Sequence, residues 1–569
     1  MPLVRTRGLF IVALVIVRIL LSCEIAVCEQ NFTSSGVVQM FGVHEVVLSG
    51  DGSAANPLDT IATVTFTPPS GAKNSKTADA FYDGEDTWRA RVYVNEVGGW
   101  KWNSESSTDT GLNGKSGEFT AVASKLPGRL LPHPKNSRHW IKEKGEWFLN
   151  LNDTAYFLLC ARDGNGDVVS DDEAVQYVRD DVDRGITSVR CFLTSSGSGF
   201  AESKDLWLGW FFQDGNLAKF RLDNFQCTDR RLQMLLNMYP DVAVQLILFP
   251  LEAYNRDDRF WASMTIAQRE RLLRYLIARF AAYPQLFWLI TNDAHYGPKF
   301  PNNNAMVREI GTYLREHDRW QHPLSTGHAR MVPYFFGNED WSTYVHVELL
   351  HDLGAKQYDQ YHKLKKPVFL GEDRYEQDHG PSRDPIHMRY WQRRLYWSWL
   401  LSGGSANYGG RWWTVQPVSE TGVRTATFHQ RKQTTFSKPL TGLDSVIHIR
   451  EYFKNRNIEL CDFEPDPSLV KDPTVQDAMR APKAMRRDKS EFLIYHPSAA
   501  EDGANAHGDD SNRPKIVVDL NSAIGEYEVE WYRVIDGVSK QADSITGGTA
   551  IQLTSPWIGH DVVLRMVKK

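Results

Sequence analysis

The sequence contains few cysteines and no pair of them at the spacing of metal ligands. Only six cysteines occur in 569 residues, and two of these lie in the apolar N-terminal segment. None of the other four forms a CxxC motif, so the sequence indicates no zinc site. Cys160 and Cys191 lie in apolar runs, which is typical of buried free thiols, and the sequence assigns no disulfide.

The charged residues show no excess of one sign. They make up 24% of the chain, the formal net charge is -5, and both signs are interspersed. A protein that binds nucleic acid through its phosphates usually carries a basic patch or stripe. We therefore expect no nucleic-acid partner.

The N-terminal apolar run is too short for a permanent membrane span. It reads "GLFIVALVIVRILLS", follows Arg5 and Arg7, and contains an arginine, whereas a spanning helix needs about 20 apolar residues. This pattern predicts a signal peptide over residues 1–28 and a secreted or periplasmic protein. The sequence "LLSC", which ends at Cys23, leaves a second outcome open, in which the protein is a lipoprotein held at a membrane through lipidated Cys23.

Alternating patterns occur at both ends of the mature chain. In "ATVTFTP", Ala62, Val64 and Phe66 share one face, and this region predicts a small β-sandwich over residues 31–123. Three prolines in "SKLPGRLLPHPKNS" predict a stiff, non-repetitive connector and a domain boundary. Short alternating strands return over residues 488–569 and predict a second β-sandwich at the C-terminus.

Between these regions the pattern becomes a repeat of strand and helix. Ser170 and Glu173 form a capping box that predicts the start of the first helix, which Gly185 closes. Eight such units predict the α/β class and a (β/α)8 TIM barrel over residues 136–461. A doubly wound open sheet is the structural alternative, but "GSGFAES" lacks the third glycine of its phosphate-binding signature.

Two carboxylates follow buried strands of this predicted barrel, at the face where functional residues collect. Asp293 follows the fourth strand, "LFWLIT", directly after Asn292, and Glu372 ends the seventh strand, in "KPVFLGEDRYE". Strands four and seven lie three apart around a ring, so their end residues can face each other across its mouth. Glycoside hydrolysis requires one carboxylic acid and one carboxylate in this arrangement.

Further polar and aromatic residues at the strand ends are candidate substrate ligands. Asn292 is placed to bond a sugar hydroxyl, and Arg190 is placed to hold Glu372 ionised. The complete set of predicted substrate contacts is Asn292, Arg190, Asp153, His328, His346, Tyr375, Trp412 and Trp413.

The 18 tryptophans also suit a carbohydrate ligand, because sugar rings stack their apolar faces on indole. Trp207 and Trp210, in the loop after strand two, are further candidates for such subsites. Trp391, Trp397 and Trp399 lie on a predicted helix and are assigned to the core.

Each candidate also has a structural explanation. Asp293 can cap the following helix, Glu372 can pair with Arg374 or Arg190, and His328 and His346 can be hydrogen-bonded core histidines. The run "HVELLH" contains a Glu-x-x-His pair, but a di-iron site needs more such ligands on helices. We therefore expect no metal and no cofactor.

The order of these motifs resembles clan A of the glycoside hydrolases, which are retaining TIM-barrel enzymes. More specifically, "AFYDGEDTWRARVYVNEVGGWKW", "NLNDTAY", "GEDRYE" and "RRLYWSWLLSGGSANYGGRWW" resemble the apiosidase-like group. That group joins an N-terminal immunoglobulin-like domain to the barrel and adds a C-terminal β-sandwich. The resemblance implies that Asp293 is the general acid/base and Glu372 the nucleophile, although most of clan A has Glu where this chain has Asp293.

These observations predict an exported glycoside hydrolase that cleaves a polysaccharide or oligosaccharide with retention of configuration. The expected partner is a carbohydrate substrate, whose identity depends on loops that the sequence does not specify. The alternative is a carbohydrate-binding protein that uses the barrel as a scaffold without turnover.

Overall fold

The computed structural model describes most of the chain after residue 30. The described residues are 31–34, 36–54, 56–195, 208–249, 259–328, 333–348, 360–373, 385–410, 414–415, 424–427, 432–435, 442–472, 481–497 and 513–569. The predicted signal peptide lies outside them. Within the described ranges, no helix is both long enough and apolar enough to cross a bilayer.

Two sheets account for residues 32–122. Their strands are β1 (Phe32–Thr33), β2 (Val37–Gln39), β3 (Val43–Ser49), β4 (Ala62–Thr67), β5 (Lys76–Asp79), β6 (Phe81–Gly84), β7 (Thr87–Tyr93), β8 (Gly98–Ser106) and β9 (Ser116–Val122). One sheet has the order β1-β3-β7-β6 and the other β2-β9-β8-β4-β5. Along β4, Ala62, Val64 and Phe66 are buried in alternation with half-buried threonines, as the period-two pattern predicts.

A small three-stranded sheet follows, where the sequence predicts an irregular connector. It consists of β10 (Leu130–Pro132), β11 (Trp140–Lys142) and β12 (Trp147–Phe148), all antiparallel. The Trp140 ring contacts Phe287 and Tyr344 on the central strands, with ring centroids 5.9 and 5.5 Å apart. The connector is therefore ordered because an aromatic side chain anchors it to the core.

Eight parallel strands form the centre of the molecule. They are β13 (Leu151–Thr154), β14 (Ser188–Phe192), β15 (Ala243–Phe249), β16 (Leu286–Thr291), β17 (Leu324–Ser325), β18 (Val345–Glu348), β19 (Val368–Glu372) and β20 (Ala406–Tyr408). Six of them pair in the order β17-β16-β15-β14-β13-β20, and β18 pairs with β19. Every residue of β15 and β16 is buried, as expected for strands covered on both faces.

Backbone hydrogen bonds connect the two parallel sheets at both ends. Thr343 N donates to Leu324 O at 2.8 Å, which links the start of β18 to β17. Leu370 N donates to Ser405 O at 2.9 Å, which links β19 to the start of β20. The carboxyl ends of these strands consequently lie at one edge, as parallel strands require.

Helices connect the central strands. They are α1 (Asp171–Asp183), α2 (Leu208–Phe211), α3 (Leu222–Met238), α4 (Arg259–Ala262), α5 (Ile266–Phe280), α6 (Pro301–His317), α7 (Pro385–Leu400) and α8 (Val446–Asn455). The predicted capping box of Ser170 and Glu173 is confirmed at the start of α1. Gly185 closes this turn with a φ of 93°, which glycine adopts without strain. Of the helix predicted before β19, over residues 355–366, the first five residues lie outside the described ones, and the rest forms a short helical end and a 3-10 turn at His362–Leu364.

Antiparallel sheets make up the C-terminal part. Beyond the hairpin of β21 (Arg424–Thr427) and β22 (Lys432–Thr435), the strands are β23 (Glu464–Pro465), β24 (Val470–Lys471), β25 (Lys483–Arg487), β26 (Glu491–His496), β27 (Lys515–Asp519), β28 (Glu526–Arg533), β29 (Val538–Thr546), β30 (Ala550–Thr554) and β31 (Val562–Lys568). They pair in the orders β23-β25-β26-β31-β28-β29 and β24-β27-β30. These sheets thus begin at Glu464, earlier than the predicted boundary at residue 488.

Buried ion pairs attach both flanking parts to the centre. Arg393 on α7 binds Asp561 of the C-terminal part at 2.9 Å. On the N-terminal side, six side chains form what we call the ion-pair ring, with three arginines and three carboxylates in alternation. Its contacts are Arg91–Glu45 (2.8 Å), Arg89–Glu45 (2.5 Å), Arg89–Asp83 (2.6 Å), Arg279–Asp83 (2.7 Å), Arg279–Asp229 (2.6 Å) and Arg91–Asp229 (2.6 Å).

The prediction of buried free thiols at Cys160 and Cys191 is confirmed, and the other two described cysteines share this state. Cys160, Cys191, Cys227 and Cys461 are all free and buried. Burial raises the pKa of the Cys160 and Cys461 thiols to about 12. These side chains therefore behave as small apolar groups of the interior.

Candidate active site

Asp293 and Glu372 meet at the edge where the parallel strands end. Glu372 is the last residue of β19, and Asp293 follows the end of β16 after one intervening residue. An oxygen of each carboxyl group lies within 4.8 Å of an oxygen of the other. The structure thus brings together the two acids that the strand-end argument selects.

The backbone of Asp293 has an unusual conformation. Its φ is 50°, in the left-handed region that short polar residues tolerate better than other non-glycine residues. Helix α6 begins at Pro301 with Phe300 as its N-cap, so Asp293 does not cap it. The backbone N–H of Asp293 instead donates to Glu348 Oε2 at 3.0 Å.

Glu348, the last residue of β18, is a third carboxylate in the same cluster. One of its oxygens lies within 4.8 Å of oxygens of both Asp293 and Glu372. Its side chain is fully buried. Burial raises the pKa of Glu348 to about 7, where the Arg190 charge opposes the rise and the Glu372 charge adds to it.

Arg190, on β14, lies between the carboxylates. Its Nη1 donates to Glu372 Oε2 at 2.9 Å and to Gly371 O at 3.0 Å. Its Nη2 donates to Glu348 Oε1 at 2.8 Å and to Asn292 Oδ1. The guanidinium is completely buried, so Arg190 orders the acids, and the prediction that it contacts substrate directly does not agree with its position.

Tyr156 supplies a second donor to Glu372. Its hydroxyl donates to Glu372 Oε2 at 2.5 Å, and its ring stacks on Phe192 with centroids 4.4 Å apart. Burial raises the pKa of the Tyr156 hydroxyl well above its ordinary value, although Arg190 opposes the rise. Tyr156 therefore stays protonated and acts as a hydrogen-bond donor to Glu372.

His346 is an interior residue and not the substrate ligand that we predict from its strand-end position. Both ring nitrogens have protein partners, since Nδ1 lies 3.1 Å from Gln245 Nε2 and Nε2 lies 3.0 Å from Glu348 Oε1. Burial, followed by the Arg190 charge, lowers the pKa of His346 well below its ordinary value. The neutral ring accepts from Gln245 and donates to Glu348, as the core-histidine alternative requires.

Asp153 also lies away from the predicted mouth. Its Oδ2 accepts from the Tyr177 hydroxyl on α1 at 2.9 Å. Its neighbours on β13 have side chains that contact other strands, as Asn152 Nδ2 donates to Ser188 Oγ. Successive side chains of a strand point to opposite faces, so Asp153 faces the helix layer and the predicted substrate contact is wrong.

The remaining described candidates, Asn292 and His328, are both buried. Asn292 accepts from Arg190 and lies 3.5 Å from the Tyr156 hydroxyl. His328, three residues beyond the end of β17, packs edge-on against Tyr296 with ring centroids 5.2 Å apart. Contact of either side chain with a sugar stays a prediction.

The structure describes only some of the aromatic residues that we predict to form sugar subsites. Trp210 is buried against Phe192, with centroids 5.6 Å apart, so its assignment to a sugar subsite is wrong. Trp397 and Trp399 are buried on α7, as predicted. Tyr375, Trp207, Trp412 and Trp413 lie outside the described residues.

Two residues of the cluster are absent from the predicted site. Tyr156 lies in a turn beyond β13, and only its place in "NLNDTAY" marks it. Glu348 is visible at a strand end, but its side chain has no sequence signal that distinguishes it from a structural acid. The contacts of both depend on strands that are distant in sequence.

A second cluster of residue types that can bind a metal ion consists of His133, Glu459 and Cys461. It joins the connector to the end of the central region. His133 Nε2 lies 3.5 Å from Cys461 Sγ, and Glu459 Oε2 lies 3.8 Å from the same sulfur. The backbone N–H of Lys135 donates to His133 Nδ1 at 3.3 Å, which places the proton of the neutral ring on Nε2. Because a ligating nitrogen must be unprotonated, this arrangement does not suit a metal.

Comparison with known families agrees with this geometry. The family model of the apiosidase-like catalytic domain matches residues 134–458, more than half of the chain. The chain belongs to the apiosidase-like family of glycoside hydrolases. A domain of unknown function, DUF5060, matches residues 37–107, and no curated protein sequence matches the chain. Membership of the apiosidase-like family supports glycosidase function.

Solved structures share the fold of this apiosidase-like chain at low sequence identity. A protein from Bacteroides vulgatus, provisionally assigned as a glycoside hydrolase, has a TM-score of 0.67 and 16% identity, and the match covers 94% of this chain and 100% of that one. A family 5 glycoside hydrolase from the same organism has a TM-score of 0.56 and 14% identity, over 78% of this chain and 95% of that one. At these identities the likeness concerns the fold.

Proposed function

We propose that the protein is an exported glycoside hydrolase that acts with retention of configuration through Asp293 and Glu372. The spacing of these two carboxyl groups carries the proposal, because their oxygens approach within 4.8 Å. Retaining enzymes hold the two groups about 5–5.5 Å apart, whereas inverting enzymes leave about 6.5–9.5 Å for a water molecule. The short separation supports direct attack by one carboxylate.

In the first step, Asp293 donates its proton to the glycosidic oxygen while a Glu372 oxygen forms a bond to the anomeric carbon. The bond between that carbon and the leaving oxygen breaks, which yields the free alcohol and a glycosyl ester on Glu372. In the second step, the Asp293 carboxylate takes a proton from water as the water oxygen attacks the anomeric carbon. The ester bond breaks, Glu372 leaves as a carboxylate, and Asp293 is protonated again.

The neighbours of Glu372 suit a nucleophile that is also a leaving group. Arg190 and Tyr156 both donate to Glu372 Oε2, at 2.9 and 2.5 Å. Both contacts hold Glu372 in place and leave its other oxygen, Oε1, for attack on the anomeric carbon. The same donors stabilise the charge that returns when the glycosyl ester is cleaved.

We infer that the eight parallel strands close into a (β/α)8 barrel, and the backbone hydrogen bonds at Leu324 and Ser405 support this closure. The flanking sheets are proposed to be β-sandwich domains, the N-terminal one immunoglobulin-like. The signal pattern over residues 1–28 supports secretion or periplasmic export, with membrane attachment if Cys23 is lipidated.

The test is a screen of the purified protein against plant and algal polysaccharides and oligosaccharides, including apiose-terminated ones, as the family name suggests. We expect wild type to release a sugar whose first-formed anomer, observed by NMR, has the configuration of the substrate. Asp293→Ala and Glu372→Ala are expected to lose at least about a thousandfold in kcat, whereas Glu118→Gln, an exposed glutamate of β9, retains the activity.

Equal sugar release by wild type and both alanine variants would refute the assignment of the two acids. Release of the inverted anomer would refute the retaining mechanism. Binding of a polysaccharide without release of any sugar would support the non-catalytic alternative.

A further inference from the structure

A two-acid mechanism leaves the third carboxylate of the cluster without a role. Glu348 is fully buried, yet it lies within 4.8 Å of both proposed catalytic acids. An uncompensated carboxylate in such a place costs several kcal/mol of folding free energy. The hydrogen bonds of Glu348 indicate which role it has in the site.

We propose that Glu348 is a positioning residue that holds the exchangeable proton on Asp293 and fixes the backbone turn from which Asp293 acts. This inference rests on the proposed function, because it assigns to Asp293 the role of the general acid.

The first argument is the set of donors that converge on Glu348. Its Oε1 accepts from Arg190 Nη2 at 2.8 Å and from His346 Nε2 at 3.0 Å. Its Oε2 accepts from the backbone N–H of Asp293 at 3.0 Å. Three N–H donors favour the ionised form of a carboxyl group, so they oppose the burial that raises the pKa of Glu348.

The second argument is the direct contact between the two acids. Oxygens of the Asp293 and Glu348 carboxyl groups lie within 4.8 Å of each other, and hydrogen bonding from Asp293 opposes the effect of burial on the pKa of Glu348. Two carboxyl groups that share a site retain one proton to a higher pH than either would alone. With N–H donors around Glu348, the shared proton resides on Asp293, where the first chemical step needs it.

The third argument concerns which ring nitrogen of His346 carries the proton. Gln245 Nε2 donates to the Tyr344 hydroxyl at 2.8 Å and lies 3.1 Å from His346 Nδ1. This places the ring proton of neutral His346 on Nε2, which faces Glu348. The chain Gln245, His346, Glu348, Asp293 thus runs from the strand interior to the proposed acid.

The fourth argument is that glycines leave space for these side chains. A Cβ on Gly371 would lie 1.8 Å from His346 Cε1, and a Cβ on Gly327 would lie 2.6 Å from Glu348 Oε1. A larger residue in place of Gly371 would displace His346, and one in place of Gly327 would displace Glu348. The local packing is therefore specific for this hydrogen-bonded pair.

The protonation of Glu348 depends on all the charged and titratable groups that face it. Arg190 comes from β14, Asp293 follows β16, His346 is on the same strand, and Glu372 is on β19. The hydroxyl groups of Tyr156, Tyr296 and Tyr344 also lie in its surroundings, with their pKa values raised by burial, and stay neutral. Burial and the Glu372 charge oppose the Glu348 anion, whereas the Arg190 charge and the hydrogen bond from His346 favour it.

The decisive measurement uses infrared absorption of protonated carboxyl groups in the full-length resting protein, titrated between pH 4 and 9. Wild type is expected to lose one carboxyl signal near neutral pH. Asp293→Asn should lack that signal, and Glu348→Gln should lose it at least about one pH unit lower, because the neighbouring negative charge is gone. Glu118→Gln is the matched control and should titrate as wild type.

Activity gives a readout that a purely structural residue would not change. In Glu348→Gln, the basic limb of the pH profile of kcat/KM should shift to lower pH by the same interval. The loss should be larger for substrates with poor leaving groups, which need a proton donor, than for aryl glycosides. Glu348→Asp keeps the negative charge, so the basic limb of its pH profile should lie closer to that of wild type. This variant replaces Glu348→Gln in the test if Glu348→Gln does not fold.

The outcomes separate this inference from the proposed function. The infrared titration needs no substrate, so an inactive protein with the expected signals would refute the function alone. An active Glu348→Gln variant with an unchanged pH profile and carboxyl signal would refute the inference alone. A wild-type protein without a carboxyl signal that titrates near neutral pH would also overturn it.

Discussion

At the scale of single residues, Arg190 holds together a cluster whose charges would otherwise repel. It contacts Glu372 and Glu348 while completely buried. Arg190→Gln should lower the free energy of unfolding by about 3–5 kcal/mol, because it leaves buried carboxylates without their cation. Urea unfolding at pH 7 measures this change.

The control for this prediction is Arg230→Gln. Arg230 pairs with Asp171 at 2.7 Å, but 53% of its side chain is exposed. A surface pair contributes at most about 1 kcal/mol. Similar unfolding curves for the two variants would show that Arg190 is not the compensating charge.

Glu348 should make stability depend on pH. Burial raises the pKa of Glu348 from 4.5 to about 7, so in the folded state the pair of Glu348 and Asp293 retains a shared proton that the unfolded chain releases at lower pH. The free energy of unfolding therefore falls as pH rises between these two values. In Glu348→Gln, the difference in urea midpoint between pH 5 and pH 8 should be smaller than in wild type. An equal or larger difference would contradict the raised pKa.

The identity of the two candidate acids was predictable, whereas their geometry was not. Asp293 and Glu372 follow apolar runs that read as buried strands. Nothing in the sequence specifies the positive φ of Asp293 or its hydrogen bond to Glu348. Asp153 also lies near the end of a buried strand and yet faces the helix layer, because one residue of register reverses the direction of a side chain.

At the scale of elements, the close approach of β18 and β19 depends on one glycine. A Cβ on Gly371 would overlap the His346 ring at 1.8 Å. Gly371→Ala should therefore destabilise the fold by about 1–3 kcal/mol, as overpacking does, and should reduce activity by displacing Glu348. Thermal unfolding and kcat/KM measure the two effects.

Gly99→Ala is the matched control, since Gly99 lies within β8 and a Cβ at this position would meet no atom within 4 Å beyond its chain neighbours. Its replacement should leave the melting temperature nearly unchanged. Equal losses in both variants would mean that glycine flexibility, and not the space beside His346, accounts for the effect.

Most elements follow from local sequence pattern. The capping box at Ser170 is a local signal, and its helix is found where predicted. The strand Leu130–Pro132 was not predicted, because prolines and short length favour an irregular connector. It forms because pairing with Trp140–Lys142 and the contacts of Trp140 stabilise it, and these contacts are not visible in the local sequence.

At the scale of the whole molecule, the ion-pair ring joins the N-terminal sheets to helices α3 and α5. Asp229 contacts both Arg91 and Arg279 at 2.6 Å, and all three side chains are buried. Asp229→Asn should destabilise the protein by about 3–5 kcal/mol, since two buried arginines lose their shared counter-charge. It should also increase the rate of proteolysis between the N-terminal sheets and the rest of the chain.

Denaturant unfolding and limited proteolysis test this prediction, with Asp444→Asn as the control. Asp444 pairs with Arg184 at 2.8 Å while half of its side chain is exposed, so its loss should have little effect. If Asp229→Asn unfolds and is cleaved as wild type is, the ring does not hold the two parts together.

The sequence by itself determined most of the succession of elements and the choice of the two candidate acids, because hydrophobic periodicity and strand-end position are local properties of the chain. Tertiary structure alone decided which polar groups meet. Glu348, Arg190 and Tyr156 come from three different parallel strands or the turns beyond them. Their contacts arise because pairing in register brings distant residues to one edge, where burial makes each donor and each charge decisive.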